Sequence, residues 1–163
     1  MINVRKMRSL DEDFIYHSWL SSLDRHVPGC RRMARTLIDH CVKEGTIHVA
    51  CSDDDDHILG WLAYGDDFNF PVLHYVFVKK DLRDHKVGKT LLNTCLPQGS
   101  DPILTSFWSY WCRKYGLKHK WNLKYNSLLL PSLIEMIHAE AKPEREDISK
   151  KEGDRPQALH AAD

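Results

Sequence analysis

The sequence predicts a mixed α/β layered domain, in which a central, mostly antiparallel sheet is flanked by helices. Three observations lead there. Two amphipathic helical stretches come early, around Phe14–Leu23 and Met33–Cys41. The middle of the chain then switches to strand character at Ile47–Cys51, Ile58–Tyr64 and Val72–Val78. Helices and strands alternate after that, as a layered domain requires.

Each element has a local reason. Ile2 to Met7 alternates apolar with polar side chains, as a half-buried strand does. Ser9 and the acidic run Asp11-Glu12-Asp13 precede Phe14, Ile15, Trp19, Leu20 and Leu23 at helical spacing, and acids in a first turn complement the helix dipole. Pro28-Gly29 breaks this helix. The next carries Met33, Leu37, Ile38 and Cys41 on one face with Arg31, Arg32 and Arg35 elsewhere, and Gly45 is its natural stop. Between the two following strands lie four aspartates, Asp53–Asp56, whose expected place is a solvated hairpin tip. Val72-Leu73-His74-Tyr75-Val76-Phe77-Val78 is rich in β-branched and aromatic residues, as a central buried strand would be. A helix from about Val87 carries Leu91, Leu92 and Cys95 and ends at Pro97-Gln98-Gly99. Ile103–Phe107 reads as a strand, Ser109–Tyr115 as a short aromatic helix ended by Gly116, and Trp121–Tyr125 as a late strand. Periodicity leaves Leu128–Ile137 open between strand and helix.

Length and composition bound the function. At 163 residues the chain suits one domain, expected over 1–139, with a charged and disordered tail over 140–163. Its 23 basic and 23 acidic residues give no global field toward nucleic acid or membrane, although a local basic groove stays open. The apolar stretches are far too short to span a bilayer, and the opening residues lack the apolar core of a secretion signal, so the expected compartment is the cytoplasm. The five cysteines, Cys30, Cys41, Cys51, Cys95 and Cys112, show no zinc or redox spacing and are expected as reduced thiols. The ten histidines form no compact ligand pair, so no metal is expected.

The informative segment runs from strand 72–78 through loop 79–86 into the helix at Val87. A strand feeding a basic loop into a helix aims several unpaired backbone N–H groups, and the positive end of the helix dipole, at one point. Lys79, Lys80, Arg83, Lys86 and Lys89 add formal charge there, and Gly88 lets a ligand approach the backbone. Together these features describe a pyrophosphate cradle. A charged surface turn before an amphipathic helix is the plainer reading.

Arg83-x-x-Lys86-x-Gly88-x-x-Leu91-Leu92 resembles the acetyl-coenzyme A motif of the GNAT N-acetyltransferases, Arg/Gln-x-x-Gly-x-Gly/Ala followed by two helix residues and Leu. Arg83, Gly88 and Leu91 match, while Lys86 stands in place of the first glycine and either crowds the phosphates or turns outward. Trp111-Cys112-Arg113-Lys114-Tyr115-Gly116-Leu117 is similar to the family's aromatic helix, with Cys112 where an acid tyrosine is common. The resemblance spans roughly residues 2–130.

This resemblance implies a GNAT-like acyl-CoA acyltransferase fold and transfer of an acetyl or other acyl group from coenzyme A to an amine by direct attack. It further implies that Val76, Phe77 and Val78 border the pantetheine arm, and that Arg83, Asp84, His85, Lys86, Val87, Gly88, Lys89 and Thr90 form the phosphate site. His74 and Tyr75 are the nearest titratable residues on the strand. Strand alternation sends them to opposite faces, so one at most faces the acceptor. Cys112 and Tyr115 are the two candidates for the acid that serves the leaving thiolate, with core packing as the alternative for both. A thiol of pKa about 8.5 suits that task. The acceptor amine is unspecified. Two other readings stay open. One is a GNAT-like binding or structural module without catalysis. The other is a nucleic-acid-modifying enzyme using the aromatic and basic residues of 108–125, such as Trp108, Tyr110, Lys118, Lys120, Trp121 and Lys124.

Overall fold

The computed structural model describes residues 1–24, 31–52, 57–67, 69–97, 101–106 and 121–140. In chain order they form β1 (Ile2–Lys6), α1 (Glu12–Asp24), α2 (Arg31–Lys43), β2 (Ile47–Ser52), β3 (Ile58–Asp67) and β4 (Phe70–Val78). These are followed by α3 (Val87–Cys95), β5 (Ile103–Thr105), β6 (Leu123–Tyr125) and α4 (Leu129–Glu140). Single 3-10 turns at Ser9–Asp11 and Lys80–Leu82 lead into α1 and toward α3. Asp53–Asp56, the aromatic helix expected over 109–115 and the tail beyond Glu140 lie outside the described residues.

The strands form one six-stranded sheet in sequential order. β1 to β4 pair antiparallel, and β4, β5 and β6 pair parallel. The short strands at the end of the sheet are briefer than their apolar patterns suggest: β5 stops at Thr105 and β6 starts at Leu123.

Helices cover both faces. On one, Ile15 and Trp19 of α1, Leu37, Ile38 and Cys41 of α2 and Leu133 of α4 pack on Ile47, Val49, Trp61 and Ala63 of the sheet. On the other, Val87, Leu91 and Leu92 of α3 pack on Ala50, Leu62, Leu73 and Ile103. A fully buried side chain of this size stabilises by about 2–3 kcal/mol, so these two clusters are the main favourable term.

α2 shows how local sequence sets these boundaries. Ala34, Leu37, Ile38 and Cys41 recur at three- and four-residue steps and are buried, while Arg31, Arg32 and Arg35 are exposed. The helix stops at Gly45, whose φ is 64°. There the Gly45 N–H donates to the Val42 carbonyl at 3.1 Å and the Thr46 N–H donates to the Cys41 carbonyl at 3.1 Å. This pairing satisfies the last carbonyls, and the left-handed turn favours a residue without Cβ.

The ambiguous segment Leu128–Ile137 is helical. Leu129, Leu133, Met136 and Ile137 follow helical spacing, and Leu133 is fully buried against α2. The Asn126 side chain accepts from the Leu128 N–H at 3.0 Å just ahead of it, and Pro131 falls in the first turn, where its missing N–H costs nothing. Among the described residues no helix is long and apolar enough to cross a membrane.

Candidate active site

β4 is the element on which the site is built. Along one edge it pairs with β3 from Asp67–Phe70 to Gly60–Val78. Along the other it pairs with β5 only at Val72–Leu104 and Leu73–Thr105. Among the described residues β4 has no further strand partner on that edge at Val76, Phe77 and Val78, all half-buried. Ser106 lies one residue beyond the last pair, level with His74.

The β3–β4 register contains a bulge. Ala63 pairs with Tyr75 and Tyr64 pairs with Leu73, so His74 is the extra residue on β4. This corrects the alternation expected from sequence, because a bulge resets which face the following side chains take. Tyr75 lies on the α1/α2 side, stacked on Trp19 and Trp61 at centroid distances of 5.4 and 5.5 Å. Its hydroxyl donates to Ser22 Oγ at 2.7 Å. His74 reaches toward the same side, to Asp67, which in turn meets His40 of α2. Both candidate residues therefore have partners on one side of the sheet.

His74 is buried at 2% exposure. Its Nε2 is 2.7 Å from Asp67 Oδ2 and its Nδ1 is 3.2 Å from Ser106 Oγ. His40 Nε2 is 3.1 Å from the other Asp67 oxygen. Burial works to raise the Asp67 pKa, but the hydrogen bonds and charge interactions from His74 and His40 outweigh it and hold the carboxyl below the ordinary range. Asp67 is thus an ionised acceptor, and both facing ring nitrogens donate to it. His40 and Asp67 also wall an open groove of about 390 Å³ with Glu44, Thr46, Asp66, Asn69, Met136 and Glu140. Sequence reasoning missed His40 and Asp67. They lie 27 positions apart, and only the hairpin and the packing of α2 on the sheet bring them together.

The phosphate-site candidates gather at the other end of β4. Lys79 follows the strand and holds its ammonium 5.2 Å from the Phe14 ring centroid. Arg83, Asp84, His85, Lys86 and Lys89 are exposed, Gly88 and Thr90 are half-buried, and Val87 is buried at 1% exposure among the α3 core residues. Lys86 has φ 63° and ψ 4°, immediately before α3, and its side chain makes no capping hydrogen bond. The first-turn donors of α3 have no partner within the helix. A Cβ on Gly88 would lie 3.3 Å from Val78 Cγ2, so the helix start is pressed against the end of β4. Backbone donors, basic side chains and a strand edge leading away from them fit a ligand with a polyanionic end and an extended arm.

Burial pushes the Cys41 thiol up to about 12 and the Cys95 thiol to about 11, which makes both poor nucleophiles. Among the described residues no group of three or more His, Cys, Asp or Glu is arranged to hold a metal ion. Cys112, Tyr115 and the basic aromatic segment before Trp121 lie outside the described residues.

The family model of the GNAT acetyltransferases matches residues 7–118, which include β4, the basic loop and α3. The chain belongs to the GNAT acetyltransferase family. Solved structures with the same fold include a GNAT family acetyltransferase from Brucella melitensis in complex with acetyl-CoA. It is 17% identical over 71% of this chain and 82% of that one, with a TM-score of 0.52. A possible acetyltransferase from Clostridium difficile 630 is 16% identical over 77% of this chain and 94% of that one, also at 0.52. At this identity the likeness is one of fold. No curated protein matches the chain in sequence.

Proposed function

We propose that this GNAT protein transfers an acyl group, acetyl in the first instance, from coenzyme A to an amine by direct attack. The observation that carries the reading is the start of α3 pressed against the end of β4, where Gly88 meets Val78 behind a basic loop. In this reading the backbone N–H groups of Val87, Gly88 and Lys89, with Arg83, Lys86 and the loop around them, receive the pyrophosphate. The edge at Val76–Val78 pairs with the pantetheine arm, which runs along β4 toward His74. Bound acyl-CoA supplies the activated thioester. The Phe77 or Val78 N–H polarises its carbonyl oxygen, which needs a donor as charge develops.

The exposed side chain of Lys86 supports the outward option for this residue, which leaves the phosphate path clear. Of the two titratable residues on β4, His74 is assigned to proton handling and Tyr75 to the wall of the site, since the Tyr75 hydroxyl is already donated to Ser22. Cys112 or Tyr115 is assigned to the leaving thiolate from the family resemblance. The Brucella neighbour solved with acetyl-CoA supports the choice of donor.

The test is calorimetric titration of the intact protein and of Gly88→Trp with acetyl-CoA. The indole would fill the helix start beside Val78. Micromolar binding by the intact protein, abolished in a folded variant, supports the assignment. Absence of binding by the intact protein overturns it.

A further inference from the structure

The Ser106, His74 and Asp67 side chains form an ordered polar chain that cofactor binding does not require. It starts at Ser106, one residue beyond the last β4/β5 pair, passes through a ring at 2% exposure and ends on a carboxylate whose other oxygen is held by His40. Ser106 itself is 4% exposed. Because Asp67 is ionised and accepts from His74 Nε2, the neutral ring carries its proton on Nε2. Nδ1 is then the bare nitrogen, and the Ser106 hydroxyl donates to it at 3.2 Å. The polarity of the chain is fixed from the carboxylate upward.

We propose that Asp67 is a positioning residue of the transfer reaction, holding His74 in the tautomer that accepts the amine proton through Ser106. The proposal rests on the acyl-transfer reading above. As the amine nitrogen bonds to the acyl carbon and the carbon–sulfur bond breaks, the amine proton passes to Ser106 Oγ while the hydroxyl proton passes to His74 Nδ1. The imidazolium so formed is balanced by the Asp67 carboxylate and gives its proton to water after product leaves. The thiolate takes up a proton separately. The arrangement is that of a base oriented by a third group, with Ser106 as conduit rather than as the group that is acylated.

Among the described residues, the titratable groups beside this chain are His40, Glu44 and the Cys41 thiol of α2, Asp66 of β3 and Glu140 of α4. Asn preserves the shape of Asp67 but offers an N–H where a carboxylate oxygen stood, and it removes the charge.

Asp67→Asn, Asp67→Glu and Ser106→Ala are therefore compared with the intact protein, after circular dichroism has shown each to be folded. Imidazole 15N spectra should place the His74 proton on Nε2 in the intact protein. A proton on Nδ1 in the intact protein overturns the proposal whether or not an acceptor is known. Thiol release from acetyl-CoA with a panel of primary amines should fall about 100-fold in kcat for Asp67→Asn, with KM for acetyl-CoA within about twofold. Asp67→Glu should recover part of the rate, and Ser106→Ala should lose about tenfold. An unchanged kcat in Asp67→Asn overturns the proposal, as does a stable acyl group on Ser106 by mass spectrometry. Calorimetric binding of acetyl-CoA tests the underlying reading separately, since Asp67 lies at the other end of β4 from the phosphate loop.

Discussion

Gly60 and Phe77 approach so closely that a Cβ on the glycine would stand 2.5 Å from the Phe77 carbonyl oxygen. The same added atom would press on Val87 Cγ1 at 3.2 Å, so β3, β4 and the start of α3 converge on one small residue. The Phe77 oxygen and the Val78 Cα, at 3.3 Å, are backbone and cannot turn away. Gly60→Ala is expected to destabilise by about 2 kcal/mol or more, in the range of overpacked cores. It should also weaken acetyl-CoA binding, because it displaces the strand end from the helix start. Urea unfolding and calorimetry measure the two effects, and an unchanged midpoint would contradict the close approach.

Tyr75 and Ser22 offer a gentler probe. Tyr75→Phe keeps the ring between Trp19 and Trp61 and deletes only the hydroxyl that donates to Ser22 at 2.7 Å. The Ser22 hydroxyl still donates to the Trp19 carbonyl at 2.7 Å, so no buried donor is stranded. The expected cost is about 1 kcal/mol by thermal or urea unfolding. Retained acyl transfer in this variant would agree with the role of Tyr75 as a wall. A loss of kcat matching that of a His74 variant would make the tyrosine hydroxyl part of the chemistry.

How far the sequence reached can be read from β4 itself. Its apolar run located a central strand, and the basic loop with Gly88 located the start of α3 at Val87. Both are signals within a few neighbouring residues. The bulge at His74 is different, because it depends on how Ala63 and Tyr64 of β3 meet β4, and no period in β4 alone announces it. Asp67 and His40 stayed hidden for the same reason, being joined only by the hairpin and by α2 docking on the sheet. Leu128–Ile137 was undecided although Asn126 and Pro131 mark a helix start. The unbroken apolar residues Leu128–Leu130 masked a spacing that becomes helical from Leu129 onward.

The Asp67 carboxyl should also leave a signature in stability. Its pKa in the folded protein is held below the value of an unfolded chain, about 3.9. Its stabilisation is therefore fully present above that value and lost as pH falls through the folded value. Urea unfolding from pH 7 down to pH 3 should show stability declining at the acid end, and the part due to Asp67 should be missing in Asp67→Asn. At pH 7 the variant should be less stable by about 2 kcal/mol, the range for a buried hydrogen bond to a charged group. Parallel curves for the two proteins at the acid end would mean that Asp67 is not ionised in the fold.

Lys86 carries the last prediction. Its φ of 63° is left-handed, a region where an L side chain crowds the following carbonyl and costs about 1–2 kcal/mol. This accounts for the glycine that the family motif has at this position. Lys86→Gly removes the strain but gives back part of the gain through the freer unfolded chain, about 0.5–1 kcal/mol. The net expectation is stabilisation of up to about 1 kcal/mol by urea unfolding. Affinity for acetyl-CoA separates the two orientations of the lysine. A side chain that turns outward and supplies charge predicts weaker binding in the glycine variant, with a shallower dependence on salt. A side chain that crowds the phosphates predicts tighter binding. The exposure of Lys86 favours the first outcome, and tighter binding would reverse the assignment of this residue.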